Sequence, residues 1–275
     1  MKKHLTTIFL LLVFLVGLSV LLYPSLSDYW NSFTQSRVVL RYEDNVSKLS
    51  DRQYDSLLAE AREYNQRLAG RYERFNMSDS QLKEYNSTFD ANGDGVIGII
   101  EIPKIDVRLP IYHGTKDSVL QVGVGHLEGS SFPVGGKGSH AVLTGHRGLP
   151  SAQLLSRLDK METGDRFKLT VLNEILTYEV DQITIVLPED LSGLEIDPDG
   201  DYITLITCTP YGVNSHRMLV RGVRAANDAQ PLNLRVSADA RRIDAPLAAP
   251  ACIALMLIIM LVYMLIKYKS RKGGS

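Results

Sequence analysis

In Thr204-Leu205-Ile206-Thr207-Cys208-Thr209-Pro210-Tyr211-Gly212-Val213-Asn214-Ser215-His216-Arg217-Met218-Leu219-Val220-Arg221-Gly222, an apolar, β-branched run ends on a cysteine, a turn-rich loop follows, and a second run opens on an arginine. Tyr202 and Ile203 extend the first run, which carries no charge and has the composition of a strand buried on at least one face. Pro210, Gly212, Asn214 and Ser215 break the pattern, and it resumes over Met218 to Val223. If the two strands pair across the loop, Cys208 and Arg217 lie at the same end of one sheet. A thiol beside a guanidinium suggests chemistry, because an adjacent cation favours the thiolate and can hold an oxyanion. Residue types alone leave a plainer alternative open, in which the cysteine is a buried small hydrophobe and the arginine a solvated surface charge.

Similar runs recur upstream, at Gly98 to Ile105, Leu109 to His113, Ala141 to Thr144, Arg166 to Val171 and Ile175 to Leu187. Short strands punctuated by turn residues predict an all-β barrel or sandwich. Ser151 to Lys160, with Leu154, Leu155 and Leu158 on one face, reads as a helix-like insert. His113, His126, His140, His146 and His216 fall in or next to this region, and most are expected to be structural. His146 stands out in Thr144-Gly145-His146-Arg147-Gly148, where it terminates an apolar strand between glycines expected to leave room for a substrate. His216 is the runner-up, since alternation along a strand would turn it away from the face of Arg217. No Cys/His grouping has metal-ligand spacing, and no cofactor is expected.

The wording TLITCTPYGVNSHRMLVRGVR closely resembles the active-site signature of class C, pilin-polymerising sortases, TLxTCTPYxxNSHRLLVRG. IPKIDVRLPIYHGT, LEGSSFPVGG and AVLTGHRG look like sortase segments in sortase order. The resemblance implies a closed eight-stranded sortase barrel over 96–224, preceded by N-terminal helices. It implies Cys208 as nucleophile, His146, which matches the family's TGH histidine, as proton shuttle, and Arg217 as partner of the oxyanion. Thr144, Thr209 and Tyr211 are candidate groove residues. The implied partners are pilin subunits with an LPxTG-like signal and an acceptor lysine. Anchoring of proteins to wall peptidoglycan, and a non-catalytic barrel that only binds sorting signals, stay open as alternatives. Class C sortases also carry a lid, usually through an Asp-Pro-aromatic motif that this chain lacks. Phe75-Asn76-Met77 stands where that motif is expected, with Phe75 or Met77 as the candidate plug.

The 275 residues are 45% hydrophobic with a formal charge of −1, enough for a sizeable core and unsuited to nucleic acid. Cys208 and Cys252 are the two cysteines, and the second lies in a lipid-type segment, so no disulfide framework is expected. Leu5 to Tyr23 is uncharged and follows Lys2 and Lys3, which predicts an N-terminal transmembrane anchor over 1–23 with its start inside. A cleaved signal peptide is the competing reading, but no Ala precedes Ala59 to complete a small-x-small site. Pro24 is expected to end the anchor and 24–95 to form a helical lead-in and lid, Leu57, Leu58, Ala61, Tyr64, Asn65 and Leu68 sharing a helix face. Asp90-Ala91-Asn92-Gly93-Asp94-Gly95 with Glu101 fits a calcium-loop pattern, but the β-branched run after it reads as a strand, so a turn is expected. Downstream, 225–247 reads as a linker, 248–266 as a second transmembrane helix and 267–275 as a basic cytoplasmic tail. Both termini are thus expected inside the cell membrane and the barrel outside.

Overall fold

The computed structural model describes residues 2–227, apart from 72 and 92. Eight strands, β1 (Val96–Ile102), β2 (Val107–His113), β3 (Val124–His126), β4 (Ser139–Thr144), β5 (Arg166–Val171), β6 (Glu174–Val186), β7 (Asp201–Thr209) and β8 (His216–Arg224), close into a barrel. The order around it is β1-β2-β3-β4-β7-β8-β6-β5. β2 with β3 and β4 with β7 are parallel, and the other neighbours are antiparallel. Alternation sends Phe167, Leu169 and Val171 of β5 and Ile203 and Leu205 of β7 into one buried core with Ile99, Ile111 and Val220. The anticipated runs all become strands, with ends shifted by a few residues. β3 was not anticipated, because three residues are too few to show a period.

Ser151 to Lys160 departs from expectation. It holds turns and one short 3₁₀ segment, Leu158–Lys160, and Leu154 takes a positive φ of 37° that no α-helix allows. Leu154, Leu155 and Leu158 are buried all the same. Their spacing recorded burial, which an irregular loop satisfies as well as a helix.

Helix α1 (Lys2–Ser47) runs through Pro24 and is not ended by it. One proline removes a single N–H, and the neighbouring bonds carry the helix on. Among the described residues, one helix, Leu12–Ser47, is long and apolar enough to cross a membrane. The expected second span at 248–266, nearly all of the linker before it and the basic tail lie outside the described residues.

The compact unit that holds the barrel begins at Asn31. Within it, α1 buries Val39, Tyr42 and Val46, and the Tyr42 hydroxyl donates to Ile97 O (3.2 Å) and accepts from Leu172 N (2.8 Å). Helix α2 (Asp51–Ala69) opens on a capping box between Ser50 and Gln53 and buries Leu58, Ala61, Tyr64, Asn65 and Leu68, the face expected from their spacing. Asn65 fastens it to the barrel, its Nδ2 donating to Phe132 O (3.0 Å) and its Oδ1 accepting from Phe132 N (2.7 Å). Helix α3 (Asp79–Ser87), capped in the same way by Ser78 and Gln81, brings Tyr85 onto a stack of rings with His126 and Phe132. Past it, Asp90 Oδ1 accepts from Gly93 N (2.8 Å) and β1 follows at Val96, so the calcium-like segment is a turn before a strand.

Two buried histidines tie these layers together. His126 Nε2 donates to Ser131 O (2.8 Å), and His140 bridges Glu195 O and Thr204 Oγ1, both at 2.7 Å. Burial pushes His126 down to about 3 and His140 down to about 4 from the usual 6.5. Below pH ~6.5 the unfolded chain takes up protons that these folded rings refuse, so stability falls with pH by about 1.4 kcal/mol per unit for each ring. The loss levels off as pH passes below the folded values. The urea midpoint is therefore expected to be lower at about pH 5 than at pH 7; an unchanged midpoint would contradict the buried, neutral assignment.

Candidate active site

β7 and β8 pair with Cys208 directly opposite Arg217, and Thr207 opposite Met218. Opposed residues of an antiparallel pair share a face, so the thiol and the guanidinium stand side by side at one mouth of the barrel. His216 falls opposite Thr209 and therefore on the other face. On the far flank of β7, β4 runs parallel with Thr144 level with Ile206. That register continues past the end of β4: Gly145 N donates to Ile206 O (3.1 Å), Thr207 Oγ1 donates to Gly145 O (2.8 Å), and Arg147 Nη1 donates to Thr209 Oγ1 (3.2 Å). Carried two residues past the end of β4, that register sets residue 146 level with Cys208, which itself stands opposite Arg217. All three are half-buried, as a reactive group open to a ligand must be. Cys208 is a free thiol.

The loop carrying His146 is pinned from several sides. Its carbonyl accepts from Leu155 N (3.3 Å), and Gly148 N donates to Ser156 Oγ (3.0 Å). The flanking glycines do not leave open space for a substrate, contrary to expectation. A Cβ on Gly145 would meet the Leu155 side chain at 2.9 Å, and one on Gly148 the Tyr211 ring at 3.0 Å, at a φ of +78° that favours glycine. The room is taken by the protein, and it packs the histidine loop down onto the barrel.

Arg217 Nη1 donates to Asn214 O and His216 O, each at 3.2 Å. Among the described residues it has no carboxylate partner, so the rest of its fork is free for a ligand. Thr144 lies in the row beside Ile206. Thr209 is buried and occupied by Arg147, whereas Tyr211 is exposed on the loop after β7.

Two pairs along the hairpin from Cys208 and Arg217 stand Ile206 and Leu219, neither of which was singled out in advance. With Val142 of β4 and Leu194 of the β6–β7 loop they form a second apolar cluster, separate from the barrel core, and Phe75 packs on it. Arg74 stacks on Phe75 at 4.4 Å and donates to Gly129 O (3.2 Å) and to Leu194 O. Phe75 lines two cavities, of about 610 and 360 Å³. Asn76 is exposed, and Met77 turns toward the main core. Of the candidate plugs, Phe75 is the one packed on the second apolar cluster.

A Sortase domain model matches residues 100–225. Sortase D of Bacillus subtilis is 34% identical over 130 residues, which are 46% of this chain and 63% of that protein, and the chain spans about half the length of curated sortases A from Streptococcus agalactiae and Listeria monocytogenes. Among solved structures, sortase C1 from Streptococcus agalactiae is 47% identical with a TM-score of 0.68, covering 70% of this chain and 100% of that one. Clostridium perfringens sortase C with the C-terminal cell wall sorting motif is 39% identical with a TM-score of 0.62, over 70% and 100% of the two chains. Sortases are cysteine transpeptidases, and a cysteine paired opposite an arginine at the barrel mouth is an arrangement suited to that chemistry. On sequence, barrel topology and these neighbours together, the chain belongs to the class C sortase family.

Proposed function

We propose that this chain is a membrane-anchored cysteine transpeptidase that cleaves an LPxTG-like sorting signal and transfers it to a lysine amine of a pilin subunit. The pairing of Cys208 with Arg217 across β7 and β8, with His146 following the end of β4 beside β7, is what supports the reading. In the first step the Cys208 thiolate attacks the carbonyl of the signal's threonine, and the carbonyl electrons move onto oxygen. Arg217 faces that oxyanion with a planar fork of donors. Collapse of the adduct breaks the Thr–Gly bond, His146 delivers the proton to the departing glycine amine, and a thioacyl-enzyme remains. The lysine amine then attacks the thioester, gives its proton to His146 and regenerates the thiolate. The apolar strip of Val142, Ile206 and Leu219 suits the leucine and proline of such a signal.

Transfer to wall peptidoglycan is the second reading, and the acceptor distinguishes the two. Incubation of the chain in detergent with a pilin bearing the signal is expected to give ladders that survive SDS. Transfer only to a peptidoglycan-type amine would favour wall anchoring, and failure with every amine would favour a non-catalytic role.

Phe75 acts in this reading as a lid. Truncating a half-buried phenyl ring withdraws roughly 1.5 kcal/mol of apolar burial, about a tenfold shift toward the open groove. Phe75→Ala is therefore expected to speed alkylation of Cys208 by iodoacetamide on the order of tenfold. An unchanged rate would remove the lid role.

A further inference from the structure

We propose that Arg147 is a positioning residue that holds the histidine loop in register with the cysteine strand, an inference that rests on the roles given above to His146 and Cys208. The side chain is 8% exposed, and its Nη2 pairs with Asp159 at 2.9 Å. Its Nη1 donates to Thr209 Oγ1 at 3.2 Å. The guanidinium also lies 5.9 Å from the centre of the Tyr211 ring. One side chain therefore joins three segments: the loop after β4, the 3₁₀ segment, and the end of β7 with the loop that follows it.

The sequence positions make this bridge informative. Arg147 is the neighbour of His146, and Thr209 is the neighbour of Cys208. Each end of the bridge is one residue from a group of the proposed site, so the bond between Arg147 and Thr209 limits how far His146 and Cys208 can move apart. A hydrogen bond and a buried ion pair from one planar fork set that spacing more rigidly than the backbone of a loop could. Arg147 also pays for its place: its Nε is buried with no hydrogen-bond partner among the described residues. A buried charge with an unmet donor is a poor choice for stability alone, which an apolar side chain would serve better. It is a reasonable choice where two catalytic groups must meet at a fixed separation.

The bridge is tested through the reactivity of Cys208 toward iodoacetamide against pH, a readout that needs no substrate, on the full chain in detergent. His146→Ala is expected to change the profile, because it removes the imidazole assigned above as the thiol's proton partner. Arg147→Met is expected to move the profile toward that of His146→Ala, and Arg147→Lys, which can still reach Asp159, to restore part of the difference. In turnover of a sorting peptide, Arg147→Met is expected to lower kcat by 10- to 100-fold per titrated thiol with KM within about twofold. A profile for Arg147→Met superimposed on that of the parent, while His146→Ala differs, would overturn the positioning role and leave the reading of the active site intact. No effect from His146→Ala would overturn both. Should Arg147→Met fail to fold, Thr209→Val removes only the hydrogen bond; it is expected to shift the profile in the same direction, and an unmoved profile would refute the bridge.

Discussion

Cys208→Ala is expected to abolish both cleavage of a sorting peptide and its transfer to an amine, leaving no measurable thioacyl product. No other cysteine lies among the described residues, so no second thiol there could take over the attack. The thiol is half-buried and forms no disulfide, so its loss is expected to cost no more than about 1 kcal/mol of stability. Far-ultraviolet circular dichroism and the melting temperature should therefore stay close to those of the parent while activity disappears. A folded Cys208→Ala chain that still joins peptide to amine would end the case for covalent catalysis.

Arg217→Lys is expected to lose about 100-fold in kcat/KM, the worth of one well-placed oxyanion donor at ~3 kcal/mol. Charge is kept in this substitution, so the loss isolates geometry. The guanidinium anchors one nitrogen to Asn214 O and His216 O and presents the rest of the fork beside Cys208. An ammonium can satisfy those carbonyls or face the substrate, and it cannot do both in one plane. Most of the loss should fall on kcat, since the oxyanion exists only after attack. A loss confined to KM would assign Arg217 to substrate binding, and near-parental turnover would demote it to a structural role.

The hairpin of β7 and β8 was legible in the sequence because a charge-free strand, a loop dense in Pro, Gly and Asn, and a second strand are contiguous. Cys208 and Arg217 flank that loop, so pairing across it puts both at one end of the sheet, and the register then gives them a shared face. Alternation along each strand could have named Ile206 and Leu219 as the apolar floor beside them, since each lies two residues away along its own strand. Leu194, Val142 and Phe75 complete that floor from distant parts of the chain, and nothing local in a sequence announces such a meeting. The Arg147 bridge was hidden for the same reason: it depends on a parallel pairing between β4 and β7, strands separated by more than fifty residues of chain. The N-terminal helices carried a readable signal in their two Ser-Asp-x-Gln capping boxes, at Ser50 and Ser78, which bracket where α2 and α3 begin. Local signals misled where burial and helicity part company. The leucines of 151–160 are buried without a helix, Pro24 sits within one, and the glycines beside His146 make room for Leu155 and Tyr211.

The most direct test is the mass of the intact chain after mixing with a sorting peptide in the absence of any amine acceptor, followed by digestion to locate the adduct. The account predicts a gain equal to the acyl portion of the peptide up to its threonine, carried on the fragment containing Cys208 and released by added amine. A chain that cleaves the peptide without ever carrying that acyl group on Cys208, or that carries it on another residue, would contradict the account.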